Sequence, residues 1–302
     1  MQREILLGLL FFSGFTVLAC DVCGGGLGSN FIGIAAQTTN TMVGFRFSNT
    51  TISTKHLAIF RDEKTYYSAE NYSTLNIWAR FYLHKKIQVY TFVPLHYYFK
   101  KENNVAQQNY GVGDATIRLH YMLYNNIDNS EKTHKHSLQA GIGIKLPTGY
   151  HEKKQNDTLL PIGMQLGSGS FDIPLAAIYN YRWKQWGLNV ESAYNVNFVN
   201  NVGYKFGDRW NNTLAVYYWK KFRKVNYVPK VQMTMDWTQK DKKNKVSQSA
   251  TGGAIIKAGA GLDIFFGKAS VGAGFELPIY DKINGGLSKT KATIYSQFIY
   301  LF

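Results

Sequence analysis

The sequence predicts an all-β chain, a transmembrane antiparallel up-and-down β-barrel of about twelve strands behind a cleaved signal peptide. Three observations predict it. Apolar and polar residues alternate with a period of two almost throughout the chain after Cys20. Charges fall on only one face of each alternating segment. Short and long connectors take turns along the chain.

The amino end reads as an address. Met1–Ala19 carries Arg3, an apolar core Ile5–Leu18 and small Ala19 before Cys20, the outline of a secretory signal. Val17-Leu18-Ala19-Cys20 also passes a loose bacterial lipobox, in which Cys20 would be lipidated. Residues 20–38 form a Cys/Gly-rich segment expected to tuck into the barrel as a small plug, and 39–302 form the barrel. Cys20-Asp21-Val22-Cys23 leaves three readings open. These are a disulfide in an oxidising compartment, a copper or zinc site built on soft thiolates, and lipidation at Cys20. No other cofactor is expected.

The strands follow in order, near 41–52, 73–83, 87–100, 111–124, 136–146, 170–183, 186–199, 210–221, 226–238, 253–266, 268–280 and 290–302. In the second, Leu75, Ile77, Ala79, Phe81 and Leu83 share one face, and Asn76, Trp78, Arg80 and Tyr82 the other. The segment Ser137–Leu146 repeats this, with Leu138, Ala140, Ile142 and Ile144 opposite Gln139, Gly141, Gly143 and Lys145. Such lengths suit tilted strands, which need about 9–11 residues to cross a bilayer. The short connectors are Leu83–Lys86, Trp183–Trp186, Phe222–Val225 and Phe266–Lys268. Long polar ones are expected at 53–72, 101–110, 147–169, 200–209, 239–252 and 281–289, and 125–135 is long where a short one would fit. Short turns on one rim and long loops on the other are the habit of outer-membrane barrels.

Charge placement decides between a membrane wall and a soluble sandwich. The faces assigned to lipid hold no Asp, Glu, Lys or Arg, each of which would cost up to about 2–4 kcal/mol at the bilayer midplane. The opposite faces hold the cations Arg46, Arg80, Arg118, Lys145, Arg182, Lys230 and Lys257. They also hold the anions Asp114, Asp172, Glu191, Asp236, Asp263 and Glu276, with His120 nearby. Near-equal opposite charges in a confined lumen are expected to pair rather than form a one-sign ring. Bulky Trp78, Tyr90, Phe92, Tyr98, Tyr217 and Tyr295 share these faces, so a narrow or plugged route is expected. Pro94, Pro174 and Pro278 also point inward, and each removes a ladder donor.

The final strand alternates through Ile294, Ser296, Phe298 and Tyr300 to Phe302. An aromatic final residue of this kind resembles the assembly signal of bacterial outer-membrane barrels, which makes the barrel assembly machinery an expected partner. The chain has 34 Lys+Arg against 19 Asp+Glu, a formal charge of +15. With a balanced lumen, that excess belongs to rims and loops, where outer-membrane lipid and lipopolysaccharide are the expected partners, beside a small-molecule solute. Nucleic acid is not expected, because no binding motif is present. Two cysteines rule out a disulfide-rich scaffold. No Ser/His/Asp arrangement can be picked out, so no catalytic residue is assigned and the chain is not expected to be an enzyme.

Three stretches carry a family resemblance: Gly111-Val112-Gly113-Asp114, Gly141-Ile142-Gly143-Ile144-Lys145-Leu146-Pro147-Thr148-Gly149, and Leu166-Gly167-Ser168-Gly169-Ser170-Phe171-Asp172. Together they resemble the bacterial outer-membrane transporter family named for the meta-pathway of phenol degradation, distantly similar to the FadL-type fatty-acid channels. The Cys-x-x-Cys-Gly start is similar to its Bacteroidetes branch. The resemblance implies passive uptake of a small or hydrophobic organic solute across the outer membrane of a Gram-negative bacterium. It carries over no catalytic residue. From a different class, a closed structural or binding barrel with a metal-binding CxxC start is the alternative expectation.

Overall fold

Alternation has its simplest physical outcome in β2 (Tyr66–His84), where Asn76, Trp78 and Arg80 are buried while the intervening side chains face outward. In the computed structural model, which describes residues 40–57, 65–102, 105–127, 129 and 131–302, this pattern is repeated around a closed wall. The signal segment 1–19, Cys20, Cys23 and the expected plug within 20–38 lie outside the described residues.

The other strands are β1 (Met42–His56), β3 (Ile87–Glu102), β4 (Val105–Val112 and Thr116–Asn125), β5 (His134–Lys145) and β6 (Ile173–Trp183). They continue with β7 (Trp186–Val196), β8 (Arg209–Tyr218, continued by Lys220–Phe222), β9 (Val225–Thr238), β10 (Gly253–Phe266), β11 (Ala269–Ile283) and β12 (Ser288–Leu301). Every neighbour in sequence is an antiparallel neighbour in space, and β1 pairs with β12 from Met42↔Leu301 to Thr54↔Ser288. Closure leaves no sheet edge, so the backbone donors and acceptors of the wall find partners without water. Among the described residues no helix is long and apolar enough to cross a membrane; the crossing is made by strands.

Four turns on one rim have two residues, Lys85-Lys86, Lys184-Gln185, Arg223-Lys224 and Gly267-Lys268. The fifth connection there is the longer 126–133. The opposite rim differs from expectation. The stretches 53–72, 101–110 and 281–289 are mostly strand: β1 runs on to His56, β2 begins at Tyr66, β3 and β4 reach Glu102 and Val105, and β11 and β12 reach Ile283 and Ser288. Above the lipid band both faces are polar, so hydropathy no longer marks the alternation. Cross-strand side-chain pairs hold the ladder instead: Asn49 to Ser73 at 2.8 Å, Thr51 to Asn71 at 3.0 Å, Thr50 with Thr293 at 3.0 Å and Tyr66 to Glu102 at 2.6 Å.

The wall is irregular at all three inward prolines. At Pro94 the β3–β4 ladder jumps from Leu95↔Val112 to Phe92↔Thr116, and Gly113–Ala115 bulge out. The bulge inverts the inward parity of β4, from Asn109 before it to Thr116, Arg118 and His120 after it. Pro174 falls where the β5–β6 ladder stops at Ile142↔Leu175, with a lone bridge Lys145↔Asp172 beyond. Pro278 sits where the β11–β12 ladder is interrupted between Glu276 and Ile283.

Trp183, Trp186, Trp237 and Tyr300, aromatics near the strand ends, are exposed on the outer wall as an interfacial girdle. Trp219 instead packs on Phe265, ring centroids 5.1 Å apart. Inside, glycines make room for aromatics. A Cβ at Gly44 would lie 2.3 Å from Trp78, and one at Gly187 would lie 1.9 Å from the Tyr217 ring. Gly187→Val is therefore expected to cost about 1–3 kcal/mol, the usual penalty of overpacking, read as a lowered urea midpoint in lipid vesicles. Gly267→Asn, in a turn where nothing crowds the Cβ and the left-handed φ of 58° is one that Asn adopts more readily than other side chains, should lower the midpoint far less.

Candidate functional site: a lumenal cavity between two plugs

The inward faces divide the lumen into layers. Toward the short-turn rim, Met42, Trp78, Tyr90, Phe92, Ile178 and Ile299 pack into one buried cluster. They come from β1, β2, β3, β6 and β12, so the cluster reaches across the lumen rather than lining one side. Toward the other rim, the connector 146–172 folds inward. Its Leu160, Met164 and Leu166 pack on Ile52, Tyr72 and Tyr98. Asn109 Nδ2 donates to the Met164 carbonyl at 2.8 Å, and Gln165 Nε2 to the Leu160 carbonyl at 2.9 Å.

Between these layers lies a cavity of about 200 Å³. Phe92, Pro94, Tyr98, Leu166, Pro174 and Phe206 give it apolar surface, and Asn76, Thr116, Arg118, Glu191, Asn211 and Thr213 give it polar surface. Arg118 is buried beside Phe92, its guanidinium carbon 4.5 Å from the ring centroid. Two of the three inward prolines thus border the cavity; Pro278 does not.

The expected charge pairing is present. Lys230 Nζ meets Asp263 at 2.7 Å with both side chains fully buried, and Gln297 Nε2 donates to the other Asp263 oxygen at 2.8 Å. Lys257 meets Glu276 at 2.9 Å, and Gln232 and Thr234 donate to Glu276 at 2.6 and 2.7 Å. Tyr295 joins this network through Gln232 at 3.1 Å and lies under Arg46, 4.6 Å from its ring centroid. These residues of β1 and β9–β12 form one continuous polar wall.

A second group ties down the inward loop. Lys145 bridges Asp114, at 3.2 Å, and Asp172. Asp114 accepts from the Gly149 amide at 3.0 Å and from both the amide and hydroxyl of Ser168 at 2.8 Å. Asp172 accepts from Ser170 at 2.9 Å and from the Phe198 amide at 2.8 Å. Asp114 and Asp172 are thus loop anchors at the cavity edge. Asp114→Asn is expected to lose about 1.5–3 kcal/mol of charge-assisted bonding, and limited trypsin digestion should then cut at Lys153 and Lys154 faster than in the parent protein.

The remaining predicted residues scatter. Asp236 is held in a two-pronged pair by Arg209, at 2.7 and 2.8 Å. Arg80 donates to the Asn40 carbonyl at 2.8 Å below the cavity. His120 is buried against Tyr90, ring centroids 4.7 Å apart, over Gly141. Arg182 is half-buried beside the Lys184-Gln185 turn and joins none of these groups. The backbone amide of Phe302 donates to the Thr41 carbonyl at 2.9 Å across the β1–β12 seam, and its ring is exposed. Sequence reasoning missed Arg209, which falls in a stretch expected to be loop, and missed the inward loop itself. The apolar run Leu159-Leu160-Pro161-Ile162-Gly163-Met164 inside a polar connector was the available signal. Among the described residues no group of three or more His, Cys, Asp or Glu side chains is placed to hold a metal ion.

Closure, an outer wall of exposed aliphatic and aromatic side chains and a paired polar interior define the class: a transmembrane β-barrel of twelve strands. No protein-family model matches the chain, and no curated protein matches it. Among solved structures the fold is similar to an outer membrane channel from Pseudomonas putida F1. The TM-score is 0.63 at 12% identity, covering 88% of this chain and 96% of that one. It is also similar to the beta domain of the Bordetella autotransporter Brka, with TM-score 0.51 at 9% identity, covering 87% of this chain and 100% of the other. At these identities the likeness is one of fold.

Proposed function

We propose that this chain is a passive outer-membrane channel of a Gram-negative bacterium that takes up a small, largely uncharged organic solute. The observation that carries the reading is the cavity. Its wall joins apolar surface from Phe92, Pro94, Tyr98 and Leu166 to many polar groups, charged Arg118, Lys145, Glu191 and Arg209 among them, so it can both bury an organic solute and orient it, and it lies inside a membrane barrel. The neighbouring ion pairs neutralise one another, which disfavours selection of a simple ion. The fold likeness to the Pseudomonas putida channel supports the same reading. In it, solute enters from the long-loop side past the inward loop. The aromatic cluster blocks a straight descent, so the exit runs through the wall beside Pro94, where the β3–β4 ladder is interrupted, or through the lumen after the cluster shifts.

The test is uptake of the hydrophobic fluorophore N-phenyl-1-naphthylamine by a Gram-negative host carrying the folded protein. Expression should speed the rise in fluorescence, and Thr116→Trp, which fills the cavity, should abolish the gain. Uptake equal to that of cells carrying an empty vector would contradict the proposal.

A further inference from the structure

The two rims differ in how much acid accompanies their cations, and the short-turn rim has little. The turn after β2 carries Lys85 and Lys86, and the connection after β4 carries Lys132, with Lys135 just beyond it. The turn after β6 carries Lys184, the end of β8 and the turn after it carry Lys220, Lys221, Arg223 and Lys224, and the turn after β10 carries Lys268. All are exposed except Lys135, which is half-buried. Among the described residues of these connections the one acid is Glu131; Asp128, outside them, adds a second in the sequence. Four of the five connections on this rim are therefore basic, and the connection after β4, where acids offset the lysines, is not.

The cations stand directly outside the apolar wall. Lys184 lies 5.3 Å from the Trp183 ring centroid and Arg223 5.5 Å from that of Phe222. Leu83, Trp186, Phe222 and Phe266 are exposed beside them. Long cationic side chains next to an aromatic belt lie at headgroup depth. The inward positions beside the same turns are Gln88, Met122, Tyr217 and Phe265, with Lys135 and Arg182, paired across β5 and β6, the half-buried cations. The positive charge therefore surrounds the barrel instead of lining its mouth. A docked protein would call for charge on one side; basic turns after β2, β6, β8 and β10, spread around the barrel, match a surrounding lipid leaflet.

We propose that the short-turn rim is a collar that binds anionic phospholipid headgroups. This rests on the membrane-barrel reading and adds a lipid partner to it. The collar holds negatively charged lipids against the girdle by attraction to each exposed Lys or Arg.

The test uses the purified full chain in neutral detergent, given equal amounts of phosphatidylglycerol and phosphatidylcholine with the same acyl chains, and counts retained lipids by native mass spectrometry. The parent protein should retain phosphatidylglycerol about tenfold over phosphatidylcholine. The variant Lys220→Gln, Lys221→Gln, Arg223→Asn, Lys224→Gln should lose most of that preference. The variant Lys153→Gln, Lys154→Gln, Lys240→Gln, Lys245→Gln removes the same charge from the opposite rim and should keep it. If the first variant does not fold, salt gives the answer on the parent protein. At about 1 M, where screening acts beyond about 3 Å, the preference should vanish. Equal retention of the two lipids by the parent protein, or equal loss in both variants, would overturn the proposal. Failure of the membrane reading itself would show separately, as protein that stays monodisperse without detergent.

Discussion

Lys230→Met should destabilise the barrel by about 3–5 kcal/mol, the usual result of stripping one partner from a buried ion pair. Both Lys230 and Asp263 have fully buried side chains. The substitution leaves the Asp263 carboxylate in the lumen with the Gln297 amide still donating to it. One donor does not offset the removal of a full negative charge from water. The measurement is urea unfolding in lipid vesicles, followed by tryptophan fluorescence. The double variant Lys230→Met, Asp263→Leu should recover most of the loss, because a matched apolar pair leaves no orphan charge. If the single variant unfolds at the parent midpoint, the polar wall of β9–β12 is solvated and contributes little to stability.

The second large effect concerns conduction. The cluster of Met42, Trp78, Tyr90, Phe92, Ile178 and Ile299 crosses the lumen below the cavity. The parent barrel should therefore pass little ionic current in a planar bilayer. Tyr90→Ala with Phe92→Ala removes two rings from the middle of the cluster, along with the Tyr90 hydroxyl that donates to Gln88 at 3.0 Å. Conductance should rise on the order of tenfold as a hydrophobic constriction is opened to water. Heat-modifiable migration on a gel would show that the variant still closes its wall. An unchanged conductance in a folded variant would mean that this cluster is not the barrier.

The wall was legible in the sequence because lipid punishes error on one face. Leu75, Ile77, Ala79, Phe81 and Leu83 can alternate with Asn76, Trp78, Arg80 and Tyr82 only if the two sets meet different surroundings. Beyond the lipid band that constraint lapses. The extensions through His56, Tyr66, Glu102 and Val105 therefore looked like loops, although polar pairs such as Thr51–Asn71 keep them in the ladder. The lumenal charges were legible as a set, because the outward face excludes them, but their partners were not. Pairing depends on which strands are neighbours and how they are staggered. Lys230 reaches Asp263 from the adjacent strand, whereas Asp236 is taken by Arg209 from a stretch with no visible alternation. Asp114 and Asp172 were expected among lumen-facing residues, and their carboxylates instead fasten the loop carrying Ser168 and Ser170. That role follows from the fold-back of 146–172, which is a long-range event with only the apolar run before Met164 to announce it.

The account stands on hydrocarbon being the neighbour of every outward side chain. Spin labels placed one at a time along β2, with Cys20 and Cys23 replaced by Ser, read this directly in lipid vesicles. Labels at Leu75, Ile77, Ala79 and Phe81 should collide freely with oxygen and scarcely with a water-soluble nickel chelate, while labels at Asn76 and Trp78 should meet neither readily. Strong nickel access at the four outward positions would place that face in water and contradict the account.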